Sequence, residues 1–146
     1  MPTQDPHDPL LLDSRLSELS RAQQWAEKLA DRLGLNQKTR YAIRLCLEEA
    51  LANIILHGYR SEAGHPIVVR SWLSGQALFL AIDDQAPAFD PAQSPQQADA
   101  SDPATLESLE PGGYGIRLLR HFAESLAYER LPNGNRITMS FPGRPG

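Results

Sequence analysis

"EEALANIILHGY", residues 48–59, decides how the rest of the chain is read. Its alanines, leucines and isoleucines recur at helical spacing, which predicts a helix with an apolar face. Among them Glu49, Asn53 and His57 stand four residues apart. Residues at that spacing share one side of a helix, so the three form a polar stripe beside Leu47, Ala50, Leu51 and Ile54. Two readings stay open. The stripe is the solvated edge of a half-buried helix, a common feature, or it is a site. As a site, the amide oxygen of Asn53 suits a hard cation such as Mg²⁺, and the Glu49 carboxylate suits a general base on a nearby hydroxyl.

Upstream, Asn36 reads as the N-cap of this helix, and Gly58 would end it in a left-handed cap. An earlier helix is predicted over 14–33, where Leu16, Leu19, Ala22, Trp25, Ala26, Leu29, Ala30 and Leu33 recur at helical spacing; Gly34 follows as C-cap. "LLL" at 10–12 would be a short edge strand, and residues 1–9, with three prolines, a tail.

Downstream, "PIVVRSWL" (66–73) and "ALFLAIDD" (77–84) predict an antiparallel hairpin across "SGQ" at 74–76. Residues 85–113 hold five of the twelve prolines, the composition of a lid or binding loop. Within it only "PATLESLE" (103–110) would make a short helix. "YGIRLLRHFAESL" (114–126) predicts a helix behind a glycine-rich turn. "AYERL" (127–131) and "RITMSF" (136–141) predict a second hairpin around the Asn-Gly turn of "PNGN", and 143–146 a tail. This order indicates an α+β sandwich over residues 10–142: a mixed, mostly antiparallel sheet with helices on one face.

The bulk composition narrows the function. A chain of 146 residues can build one domain with a core. A net charge of −4 and the lack of a basic run argue against nucleic acid, which needs clustered Lys and Arg. Cys46 is the single cysteine, so no disulfide forms within the chain, as in a reducing cytosol. Inside an apolar helix it reads as a small buried hydrophobe. The N-terminus lacks the pattern of a signal peptide, and no apolar run reaches membrane-spanning length. A cytoplasmic protein without a membrane partner is expected.

Two further stretches could carry chemistry. "AIDDQAPAFDP" (81–91) places aspartates at a strand end, where one could accept a hydrogen bond from the amino group of a base, or simply start a turn. "EPGGYGIRLL" (110–119) sets three glycines before a helix N-terminus, an anion site or a hinge. No Lys-Ser/Thr follows, so it is not a Walker-type loop.

In this order the three stretches resemble the N, G1 and G2 boxes of the GHKL superfamily of histidine-kinase-like ATPases. Within it the chain looks most like the RsbW-like anti-sigma factor serine/threonine kinases, whose N box reads Glu-x-x-x-Asn before a His-Gly-Tyr ending; here "EALAN" and "HGY". The resemblance covers roughly residues 10–142. It implies ATP and Mg²⁺ as cofactors. Asn53 would ligate the metal, Glu49 would be the general base, and His57 and Gly58 would close the phosphate end. Aligning Asp-x-Gly-x-Gly-Phe-Asp-Pro on Phe89-Asp90-Pro91 makes Asp84, not Asp83, the adenine-binding aspartate, with Ala86 and Ala88 where the family has glycines. Those alanines would weaken or alter nucleotide binding. Gly112, Gly113, Gly115 and Ile116 match the G2 box and would cradle phosphates, with 86–111 as the lid. A threonine near the adenine is usual in the last hairpin; here Asn135 and Arg136 follow Gly134, and Thr138 is a weaker candidate. The implied partners are a STAS-domain anti-sigma-factor antagonist, an alternative sigma factor and a second copy of the chain. The two alanines also leave open a module that sequesters its partner without phosphorylating it.

Overall fold

The computed structural model describes residues 9–87 and 115–143, the side chains of 115–117 excepted. The expected tail before Pro9, most of the lid, the short helix at 103–110, Ala88, Gly112, Gly113 and the last three residues lie outside them.

Among the described residues five strands form one sheet: β1 (Leu10–Asp13), β2 (Pro66–Ser74), β3 (Ala77–Asp84), β4 (Ser125–Leu131) and β5 (Gly134–Pro142), in the order β1-β2-β3-β5-β4. Every pairing among the described residues is antiparallel, in keeping with the mostly antiparallel sheet expected. β1 and β2 pair across two helices that lie between them in the chain, β2–β3 and β4–β5 pair through tight turns, and β3 is joined to β4 by a crossover past β5 that carries a third helix. Those helices are α1 (Leu19–Leu33), α2 (Gln37–Asn53) and α3 (Gly115–Phe122).

Alternation along the strands separates two faces. Ile67 and Val69 of β2, Leu78, Leu80 and Ile82 of β3, and Ile137, Met139 and Phe141 of β5 are buried with the helices. The opposite face carries Trp72, stacked on its register partner Phe79 at 5.5 Å, and the Arg70–Asp83–Arg136 ion pairs. α2 packs against both α1 and α3. Its Leu47 and Leu51, and Ile54 just past its end, are fully buried, each contributing about 1.5–3 kcal/mol by area.

Local chemistry sets the helix ends. Asn36 Oδ1 accepts from Thr39 N at 2.8 Å, the expected N-cap. Gly34 ends α1 at φ 66°, ψ 35°. The start of α1 differs from expectation: a 3₁₀ turn, Leu16–Glu18, precedes it, and Leu16 is exposed. Glu18 Oε1 reaches back to Asp13 N at 2.9 Å, holding the chain in that tighter turn. α3 is shorter than expected, because Ser125 and Leu126 already pair with Ser140 and Met139 in β4.

The second hairpin turns differently too. Leu131 pairs with Gly134, so Pro132-Asn133 is the turn and Gly134 is a strand residue. A Cβ there would lie 1.8 Å from the Asp84 carbonyl oxygen, so glycine is needed for the β3–β5 approach. In the first hairpin Gly75 supplies the positive φ, 62°, at the first turn position.

Candidate functional site

α2 is buried on most sides in its last two turns, including at Glu49 (7% exposed) and Asn53 (4%). The polar pair is therefore not a solvated edge. Burying a carboxylate and a carboxamide costs free energy that apolar side chains would avoid. Among the described residues the Asn53 side chain has no hydrogen-bond partner. Cys46, one turn before Glu49, is fully buried; desolvation first, and the Glu49 charge second, push its thiol up to about 12. It is the inert core residue expected, not a nucleophile.

The helix then changes form. Residues Ile54–Gly58 make a π turn, with Tyr59 N donating to Ile54 O at 2.8 Å. The wider turn breaks the four-residue spacing on which the expected stripe rested. Glu49 and Asn53 stay together on the buried side, while His57 is exposed. Gly58 is buried but is not the left-handed cap; that conformation falls on Arg60 (φ 54°) and Ser61 (φ 65°). Non-glycine residues take it at a cost of about 1 kcal/mol or more each.

Tyr59, at the end of "HGY", ties the turn to the sheet. Its hydroxyl accepts from Gln85 N at 2.6 Å and donates to Pro66 O at 2.8 Å. Its ring stacks on His65 at 4.7 Å. A cleft of about 480 Å³ opens here, bordered by Gly58, Tyr59, Gln85 and Pro87.

At the end of β3 the two aspartates face opposite ways. Asp83 points to the open face, where Arg136 donates to both its oxygens at 2.8 and 2.9 Å. Asp84 points inward and is 4% exposed. Its Oδ1 accepts from Ala86 N and from Asn135 Nδ2, each at 2.8 Å. Desolvation raises its carboxyl above the ordinary value, opposed by the Asn135 and Ala86 bonds and by Arg130. The sequence singled out Asp84, and marked Asn135 only as standing where the resembled family carries a threonine near the adenine, without a contact to Asp84. Only the register, Asp84 opposite Asn135, puts the amide beside the carboxylate.

α3 begins at Gly115, and its Leu118 and Leu119 are buried. The described residues contain no group of three or more His, Cys, Asp or Glu side chains able to hold a metal. A cation beside Asn53 would take most of its ligands from water and phosphate, the usual habit of Mg²⁺.

A family model, the histidine kinase-like ATPase domain, matches residues 12–141. The chain belongs to that family. As an ATP-binding domain it departs from the resembled motif where Ala86 and Ala88 replace glycines. It is 34% identical over 142 residues to a serine/threonine-protein kinase, BtrW, of Bordetella bronchiseptica, covering 94% of this chain and 95% of that one. It is 22% identical over 120 residues to the serine-protein kinase RsbW of Bacillus subtilis, covering 75% of each. Among solved structures, the RsbU and RsbW domains of a Mycobacterium tuberculosis protein superpose with a TM-score of 0.58 at 14% identity, over 94% of this chain and 33% of that longer one. The mycobacterial sensor histidine kinase MprB superposes at 0.52 with 16% identity, over 96% of this chain and 99% of that one. These two likenesses concern the fold. No helix among the described residues is long and apolar enough to cross a membrane.

Proposed function

We propose that this ATPase-domain protein is a serine/threonine protein kinase and anti-sigma factor in a partner-switching system. It would phosphorylate a STAS-domain antagonist, sequester an alternative sigma factor and work as a homodimer. The observation that carries the reading is the buried Glu49–Asn53 pair on α2, in a family that binds ATP.

Asn53 presents a buried carboxamide without a side-chain partner among the described residues, which fits a Mg²⁺ ligand. When bound, Mg²⁺ neutralises phosphate charge. Asp84 would accept from the adenine amino group. Ala88, Gly112, Gly113, Gly115 and Ile116 would line the nucleotide, with His57 toward the phosphates. The incoming seryl or threonyl hydroxyl attacks the γ-phosphorus as Glu49 takes its proton. The bond from the γ-phosphorus to the bridging oxygen breaks, and ADP leaves with the electron pair. The chain contributes mainly position and charge, as phosphoryl transfer requires.

Calorimetry with ATP, with and without Mg²⁺, tests the site. Mg²⁺-dependent binding that is lost in Asn53→Ala is expected. Transfer of the γ-phosphate to a cognate STAS protein should then fall about 100-fold or more in Glu49→Gln, with ATP binding retained. Full-rate transfer by that variant would overturn the role of Glu49. A second reading is favoured by Ala86 and Ala88: partner sequestration without catalysis. Folded protein that binds no ATP would support it.

A further inference from the structure

We propose that Asn135 is the positioning residue of the base site: its amide fixes the Asp84 carboxylate and the chain just beyond it. This deepens the nucleotide reading above and rests on it.

The amide orientation follows from its surroundings. Asn135 is 1% exposed. Its Oδ1 accepts from the Tyr128 hydroxyl and from Arg130 Nη1, the latter at 3.2 Å. Its Nδ2 faces three acceptors: Asp84 Oδ1 at 2.8 Å, and the carbonyl oxygens of Ala86 and Pro87, both at 3.2 Å. Turning the amide over would set oxygen against carboxylate and nitrogen against two donors. One arrangement is therefore strongly preferred.

The consequence falls on Asp84. Ala86 N and Asn135 both bind Oδ1, and among the described residues no donor reaches Oδ2. The carboxylate is pinned by one oxygen, leaving the other as an oriented acceptor for an exocyclic amino group. The same amide, with Arg130 Nη1 on Ala86 O at 3.1 Å, holds Ala86 and Pro87. Ala86 is buried without a positive φ. At that position the chain uses side-chain bonds to fix a path for which the resembled motif carries a glycine.

The test is calorimetry with Mg-ATP and Mg-inosine triphosphate, whose base carries a carbonyl in place of the 6-amino group. Wild type, Asn135→Ala and Asn135→Thr are compared, with thermal melts as a check on folding. The wild type should prefer ATP. In Asn135→Ala, ATP affinity should fall about ten- to a hundredfold, the scale of a hydrogen bond to a charged group, while inosine triphosphate changes little. Asn135→Thr restores one donor and should recover part of the preference. If Asn135→Ala does not fold, the loss of preference in Asn135→Thr relative to wild type decides. Equal weakening for both nucleotides, or an unchanged ratio, would overturn the positioning role. A wild type that binds neither nucleotide would overturn the nucleotide reading itself, and this inference with it.

Discussion

The neighbouring aspartates show how placement, not type, sets the role of a side chain. Asp83 is partly exposed and forked by Arg136; Asp84 is buried and held by an amide. Burial raises the Asp84 carboxyl above its ordinary 3.8. An acid raised in the folded state loses stability as pH climbs through that value, because burial opposes the ionised form. Asp84→Asn keeps an oxygen for the Ala86 and Asn135 donors while removing the charge. It is expected to melt no lower than wild type at pH 7, with any gain shrinking as pH falls toward 3.8, and to lose its preference for ATP over inosine triphosphate. Melting curves across that range, with paired titrations, check both parts. Glu49 and Asn53 were legible as a pair because their spacing is local. The bond of Asn135 to Asp84 was not, because it depends on a strand 51 residues away.

At the scale of elements, caps were the most legible features. Asn36 and Gly34 act as the sequence implied, since capping depends on one side chain and a few adjacent amides. Asn36→Ala should cost about 1 kcal/mol by chemical denaturation. The π turn at Ile54–Gly58 was not legible, for its apolar spacing continues the α-helix pattern. What distinguishes it is tertiary: the Tyr59 hydroxyl binds Gln85 N and Pro66 O, fixing where the chain must emerge. Tyr59→Phe removes that hydroxyl and leaves both backbone groups without it. The expected loss is about 1–3 kcal/mol, or about 2–4 °C in melting temperature per kcal/mol. A melt unchanged within 1–2 °C, of order the smallest shift that slope predicts, would show that the link does not hold the turn.

For the whole molecule, one sheet face is covered by helices and the cleft opens between the segment after the π turn, Gly58 to His65, and the chain just beyond β3, Gln85 and Pro87. A ligand bound there stabilises the fold by mass action. Mg-ATP at a hundred times its dissociation constant should add about 2.7 kcal/mol. The rise in melting temperature should vanish in Asn53→Ala. Sequence by itself determined the α+β class, the strand positions, the caps at Gly34 and Asn36 and the Glu49–Asn53–Asp84 candidates, because periodicity, capping and short motifs are local. Tertiary structure alone decided the strand order β1-β2-β3-β5-β4, the inward turn of Asp84, the displacement of His57 and the seat of Asn135. Each depends on which strand lies beside which, and register is set by packing across the sheet rather than by neighbours in the chain.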